Sequence, residues 1–199
     1  MEGKADMTHW TSLSYVVVDV EGNGHQPPDL VELAAVPIVD GIIGDPKTWL
    51  VRPDLPITPF ARKIHGISNE QVAGAPVFAH IEADVLKALD ASALIAHNAH
   101  IDVGVLQRKL GDWECPEVFD TLKLARRLLP DRTTHKLGAL VEEFSLDKGL
   151  EREAQPHRAA YDAIVTARLF VHLAGRRTLE ELRAGPSREG GGDDQQGLF

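Results

Sequence analysis

The first strong apolar pattern in the chain is SYVVVDV at residues 14–20, rich in β-branched positions and closed by Gly22-Asn23-Gly24. It predicts a buried strand that runs into a turn. Residues 30–39 and 48–51 carry two further strand patterns, with Asp40-Gly41 as the hairpin signal between them, so three sequential antiparallel strands are expected. After a Pro-rich stretch, Val77, Ile81, Val85, Leu86 and Leu89 recur at helical spacing within residues 76–90. Residues 93–96 read as a short buried strand. From there the pattern is mostly helical, over residues 102–110, 121–129, 136–144 and 157–173. A meander followed by alternating helices and strands predicts an α/β fold, a mixed sheet opened by an antiparallel three-stranded meander and flanked by helices.

Beyond Gly175 the pattern changes. Residues 179–183 hold one more helical turn, and residues 185–194 (GPSREGGGDD) have the composition of a flexible linker. The expected organisation is an N-terminal extension over 1–13, one domain over 14–175, a partly helical and then flexible linker over 176–194, and a terminal peptide over 195–199. With 199 residues and 43% hydrophobic content, one substantial core is affordable and no internal repeat is visible. The single Cys115 excludes a disulfide framework, no apolar run approaches the roughly 20 residues of a membrane span, and the first ten residues lack a secretory apolar stretch. A cytoplasmic location without membrane contact is expected.

The formal charge of −9 argues at first against a nucleic-acid partner. Several of those acids, however, form patterns of their own, and Lys123, Arg126, Arg127, Arg132 and Lys136 make a local basic stretch. That stretch reads equally as a surface for a phosphate backbone or as a solvated helix face.

Asp19 and Glu21 stand two apart at a strand end, and alternation puts both carboxylates on one face, where together they can grip a cation or simply form an acidic turn. ALIAHNAHID runs a buried strand into a polar turn and places Asp102 at the start of a helix, where an acid is favoured in any case. His157 and Asp162 open the most apolar helix. A spacing of five does not share a helix face, so His157 reads as a residue at the frayed start, leaning toward a metal held by Asp162 or merely capping.

Together the three segments, DxE, HN-x-x-x-D and H-x-x-x-x-D in this order, resemble the DEDDh 3′→5′ exonuclease superfamily, in particular the proofreading epsilon subunits of bacterial DNA polymerase III and their stand-alone relatives. The resemblance runs over residues 14–173 and takes in VELAAV, IHGIS, FDTLKLARRLLP and HKLGAL. It implies a ribonuclease H-like fold and a two-metal hydrolysis, with Mg²⁺ or Mn²⁺, that releases nucleoside monophosphates from DNA or RNA 3′ ends. By carry-over, Asp19 bridges both ions, Glu21 and Asp162 complete the site of the water-activating one, Asp102 holds the second, and His157 is the general base. Relatives often continue DxE with Thr-Thr-Gly, where this chain has Gly22-Asn23-Gly24. Gly22, Asn23, His97 and Asn98 are the implied substrate contacts, with helper roles for Glu32, His65 and Asp120. Asp120 equally reads as the N-cap of the helix over 121–129.

The last five residues resemble the peptide by which bacterial polymerases and repair factors bind the sliding clamp, with Gln195, Leu198 and Phe199 at the matching positions and Gln196 and Gly197 departing from the usual pair. The competing reading is an apolar terminus docked on its own domain. Replication proofreading or repair on DNA is the expected role, beside a polymerase subunit where one is present. RNA 3′-end trimming is the runner-up, and a non-catalytic clamp adaptor, which would be expected to lack at least one of the five residues, comes last.

Overall fold

The computed structural model describes residues 8–150 and 156–184. Its centre is a six-stranded mixed sheet. The strands are β1 (Tyr15–Gly22), β2 (Leu30–Val39), β3 (Ile42–Ile43), β4 (Lys47–Leu50), β5 (Ala93–Ala96) and β6 (Glu117–Asp120). They lie in the order β3-β2-β1-β5-β6, with β4 also paired to β2. β1 pairs antiparallel with β2 and parallel with β5, and β5 pairs parallel with β6.

The expected meander is present with one correction. Its third strand is broken: β3 pairs with Ile38 and Val39, and β4 separately with Glu32 to Ala35, so both share one edge of β2. The turn before β3 has Asp40 at φ 51° and Gly41 at φ 78°. Two successive left-handed residues match the twist of a tight hairpin, as the Asp-Gly signal predicted.

The helices are α1 (Pro59–His65), α2 (Asn69–Ala73), α3 (Glu82–Ala88), α4 (His100–Leu110), α5 (Thr121–Leu128), α6 (Leu137–Phe144), α7 (Ala159–Ala174) and α8 (Leu179–Arg183). The single helix expected over 76–90 is instead a 3₁₀ turn, Phe78–His80, followed by α3, with uncapped Ile81 at the joint. The helix expected from 157 starts two residues later.

β1 is buried on both faces, which explains its unbroken apolar run. Tyr15 and Val17 pack with Phe170, Leu169 and Leu140 beneath α5, α6 and α7. Val16 and Val18 pack with Val85, Leu89 and Leu106 beneath α3 and α4. The first core also takes in Trp10 and, from α8, Leu179 and Leu182, residues on either side of the 14–175 span. A seam joins them: Trp10 Nε1 donates to the Gly175 carbonyl at 3.0 Å, Leu179 N–H to the Thr8 carbonyl at 2.9 Å, and Tyr15 hydroxyl to the Trp10 carbonyl at 2.6 Å. Among the described residues, no helix is long and apolar enough to cross a membrane.

Candidate active site

The period-two alternation that sends Tyr15 and Val17 toward α7 continues past the apolar part of β1 and sends Asp19 and Glu21 to the same side. There they meet Asp162, in the first turn of α7. One carboxylate oxygen from each of the three lies within 4.8 Å of the others. Three acids from two elements, converging at the edge of a core, form an all-oxygen donor set of the kind that suits Mg²⁺ or Mn²⁺.

The electrostatics fit a cation. Burial, then the neighbouring charges of Asp102, Asp162, Glu21 and Glu32, push the Asp19 carboxyl well above its usual range. Burial and Asp162 are the leading causes that raise Glu21 to about 8. Burial likewise raises Asp162, against the opposing influence of His157. Carboxylates so placed hold protons in the absence of a compensating charge, and a divalent ion supplies that charge.

Asp102 is brought near but stands outside the triad. It is almost fully buried in the first turn of α4, where its Oδ1 accepts the Val20 N–H at 3.1 Å, and burial raises its pKa to about 7. His157 lies in the turn before α7, with φ 62°, its side chain exposed. Its N–H donates to Asp162 Oδ2 at 3.0 Å. The left-handed backbone at a non-glycine residue costs about 1–3 kcal/mol and keeps His157 off the helix. Arg158, next in the chain, is extended at φ −121° and ψ 130°, so α7 begins at Ala159.

The residues expected to meet substrate divide into two groups. Asn23 is turned inward and fully buried: its side-chain oxygen accepts from His25 N–H at 3.2 Å and Asp29 N–H at 3.0 Å, and its amide donates to the Leu55 carbonyl. The Asn23 side chain is thus engaged in shaping its own loop. Gly22 remains at the end of β1, its carbonyl bonded to His65 Nε2 at 3.3 Å. Gly24, at φ 85°, lies so close to α1 that a Cβ there would approach Thr58 Oγ1 to 2.2 Å. His97 and Asn98 are half-buried in the turn before α4. His97 Nδ1 pairs with Thr121 Oγ1 at 2.9 Å, and burial lowers its pKa.

With this geometry in view, residues 16–170 match the exonuclease (RNase T) family model. The chain belongs to the exonuclease family. It is 37% identical to exodeoxyribonuclease 10 of Escherichia coli K12 over 157 residues, 79% of this chain and 67% of that one. It is 35% identical to the 3′-5′ exonuclease DinG of Bacillus subtilis over 179 residues, and spans only 18% of that relative's length. The DNA polymerase III subunit epsilon of Rickettsia prowazekii is 32% identical, with 84% of this chain and 76% of the relative aligned. Among solved structures, exonuclease X bound to 5′-overhanging duplex DNA has 34% identity and a TM-score of 0.67, covering 80% of this chain and 90% of its own. The nuclease domain of 3′hExo, a DEDDh family member bound to rAMP, shares the fold at 19% identity and TM-score 0.66, covering 83% and 94%. The fold class read from the sequence is therefore that of the exonuclease family, and the chain is a nuclease-type hydrolase.

Two buried carboxylates, Asp120 and Glu32, brace the turns that lead into α4 and α7. Asp120 Oδ1 accepts from Asn98 N–H and, as the N-cap of α5, from Leu122 and Lys123 N–H, while its Oδ2 accepts from Ala99 N–H. The cap was legible. Glu32, 5% exposed on β2, accepts from Arg158 Nε and Nη2 and from Ala159 N–H. Sequence reading gave Arg158 no role. The available signal was Glu32 itself, an acid inside an apolar strand, which needs a cation when buried. Of the basic stretch, Arg132 pairs with Glu143 and Arg127 holds the Glu181 and Leu182 carbonyls of α8.

Proposed function

We propose that this chain is a metal-dependent 3′→5′ exonuclease that removes nucleoside monophosphates from DNA 3′ ends in replication proofreading or repair. The observation that carries the reading is the convergence of Asp19, Glu21 and Asp162 beside the His157 turn. Asp19, Glu21 and Asp162 hold the catalytic cations, Mg²⁺ or Mn²⁺, with Asp102 supporting a second from the α4 side. When bound, such a pair of ions makes water a nucleophile at neutral pH and stabilises the departing 3′ oxygen.

The protein's own groups supply the rest. His157, at the mouth of the site, takes the proton of the attacking water, since an imidazole can accept a proton near neutral pH. The Asp162 carboxylate fixes the His157 backbone and so the place from which the ring reaches in. Gly22, Asn23, His97 and Asn98 bracket the terminal nucleotide, Asn23 by shaping the loop after β1. DNA is favoured over RNA because two relatives above 30% identity, exodeoxyribonuclease 10 and the DNA polymerase III subunit epsilon, carry DNA in their names. Residues 195–199 lie outside the described residues. We assign them the sliding clamp, with Gln195, Leu198 and Phe199 as its contacts, and place the protein in the cytoplasm beside DNA or a polymerase subunit.

The test is a degradation time course on matched 3′-labelled DNA and RNA. Release of mononucleotides from DNA in Mg²⁺ is expected, stopped by chelation and lost in Asp19→Ala, whose melting temperature in metal-free buffer holds or rises because like-charge repulsion is relieved. Activity retained by folded Asp19→Ala, or confined to RNA, overturns the reading.

A further inference from the structure

A helix start leaves backbone N–H groups without partners inside the helix, and a side chain at the N-cap usually supplies the missing acceptor. α7 has Arg158 at that place, which accepts nothing, and no side-chain cap of its own. The acceptor comes from another strand. Glu32 Oε2 takes the Ala159 N–H at 3.0 Å, and the same carboxylate is gripped by the Arg158 fork, Nε to Oε2 at 3.0 Å and Nη2 to Oε1 at 2.5 Å. β2 thus holds the first residue of α7 and the residue before it with one side chain.

The position of Glu32 gives this link its meaning. In the β1–β2 register Glu32 is the direct partner of Glu21, so both side chains leave the sheet on the side that also carries Asp19. A fourth carboxylate therefore stands beside the three that converge. Arg158 occupies both of its oxygens and keeps it out of the cluster. His157 and Asp162 flank this anchor in sequence and are tied to each other by the His157 N–H bond to Asp162 Oδ2.

We infer that Glu32 and Arg158 form a positioning pair that seats the amino end of α7, setting Asp162 and His157 opposite Asp19 and Glu21 while withholding Glu32 from the bound cation. The inference rests on the reading of Asp19, Glu21 and Asp162 as a cation site. Neither residue of the pair touches the reacting atoms. Both act through the geometry of the three acids.

The experiment compares the parent with Arg158→Ala, Arg158→Lys, Glu32→Gln and the double variant Glu32→Gln/Arg158→Ala. Titration calorimetry with Mn²⁺ alone gives cation affinity, steady-state kinetics on a 3′-labelled oligonucleotide gives kcat and KM, and circular dichroism checks folding. Arg158→Ala should weaken Mn²⁺ binding and lower kcat by about 10- to 100-fold, as loss of a group that orients metal ligands does, with KM little changed. Arg158→Lys keeps the charge but not the two-pronged grip, so it should recover only part of both losses. Glu32→Gln retains an oxygen for Ala159 N–H and should be milder than Arg158→Ala. The double variant should be no worse than Arg158→Ala, because the two residues act as one unit.

If Arg158→Ala proves unfolded at assay temperature, Arg158→Lys and Glu32→Gln carry the test. Folded variants with parental Mn²⁺ affinity and kcat overturn the inference, including the case in which only the melting temperature falls. A parent that binds no Mn²⁺, or an Asp19→Asn protein that binds it as the parent does, takes down the cation-site reading itself and this inference with it.

Discussion

Two turns deliver the aspartates that enter helices at this site, and they are built alike up to a point. The turn before α4 contains Asn98 at φ 70°, and the turn before α7 contains His157 at φ 62°. Each is held by a carboxylate from a strand, Asp120 at the end of β6 and Glu32 within β2. Each leads to an aspartate in the first helical turn, Asp102 or Asp162. The difference lies in what the holding carboxylate meets. Asp120 is satisfied wholly by backbone N–H groups, whereas Glu32 takes a guanidinium as well. The α4 turn is accordingly a closed backbone knot that keeps Asp102 buried against Val20, and the α7 turn is an ion-paired hinge that leaves His157 in the open. Asparagine and histidine are both among the few non-glycine residues enriched in the left-handed region, so neither turn needs a glycine at that place.

The largest consequence should fall on the open turn. His157→Ala is expected to lower turnover by about 10²–10⁴-fold while metal-dependent substrate binding stays near parental, and to remove the acidic limb of the rate against pH. Steady-state kinetics across pH checks this. Equal losses in binding and turnover would make His157 a substrate contact, and the contrast between the turns would lose its chemical content.

A second effect separates the turns by pH in metal-free buffer. Glu21, near the α7 turn, and Asp102, in the α4 turn, hold their protons more tightly in the folded than in the unfolded chain, with folded values of about 8 and about 7. Their contribution to stability is therefore complete below the ordinary carboxylate range and is lost as pH rises through those values. Urea unfolding with chelator present should show stability falling from pH 5 to pH 8.5. Asp102→Asn should remove a part of the fall that ends near pH 7 and Glu21→Gln a part that continues to near pH 8, and Mn²⁺ should restore stability at pH 8.5 but not at pH 5. A flat profile would mean that neither acid is under strain.

The smallest effect belongs to the closed turn's support. Asp120→Ala strips four backbone N–H groups of an acceptor and should cost about 1–3 kcal/mol, the range for a lost cap or an unsatisfied buried donor. Thermal melts check the loss. Mn²⁺ affinity should fall less than in Arg158→Ala, since Asp19, Glu21 and Asp162 are untouched. A reversed order would make Asp120, rather than Glu32, the support on which the acids depend.

What was legible in the sequence was local. SYVVVDV announces a buried strand, and alternation alone puts Asp19 and Glu21 on one face. The Asp120 cap needed only its own next three residues. α1 and α2 announce themselves only by their ends: Thr58 and Pro59 open α1 and Gly66 closes it, and Ser68 and Gln71 form the capping box of α2. Each helix is too short to show an apolar period. β6 escaped because a four-residue edge strand with two exposed positions carries little pattern. The Glu32–Arg158 pair was invisible for a different reason, 126 residues of separation. The inward turn of Asn23 was equally hidden, because its partners Asp29 and Leu55 come together only when the loop closes.

The seam between Trp10 and Gly175 joins positions 165 residues apart. A contact so distant in sequence carries a larger closure cost than the nearer ones, although that cost grows only slowly with length. On the ribosome, the strand bearing Asp19 and Glu21 emerges long before the helix bearing Asp162, and the clasp that latches the two ends of the body waits for Gly175. A truncated translation product therefore carries the acids of β1 without the helix that brings Asp162 to them.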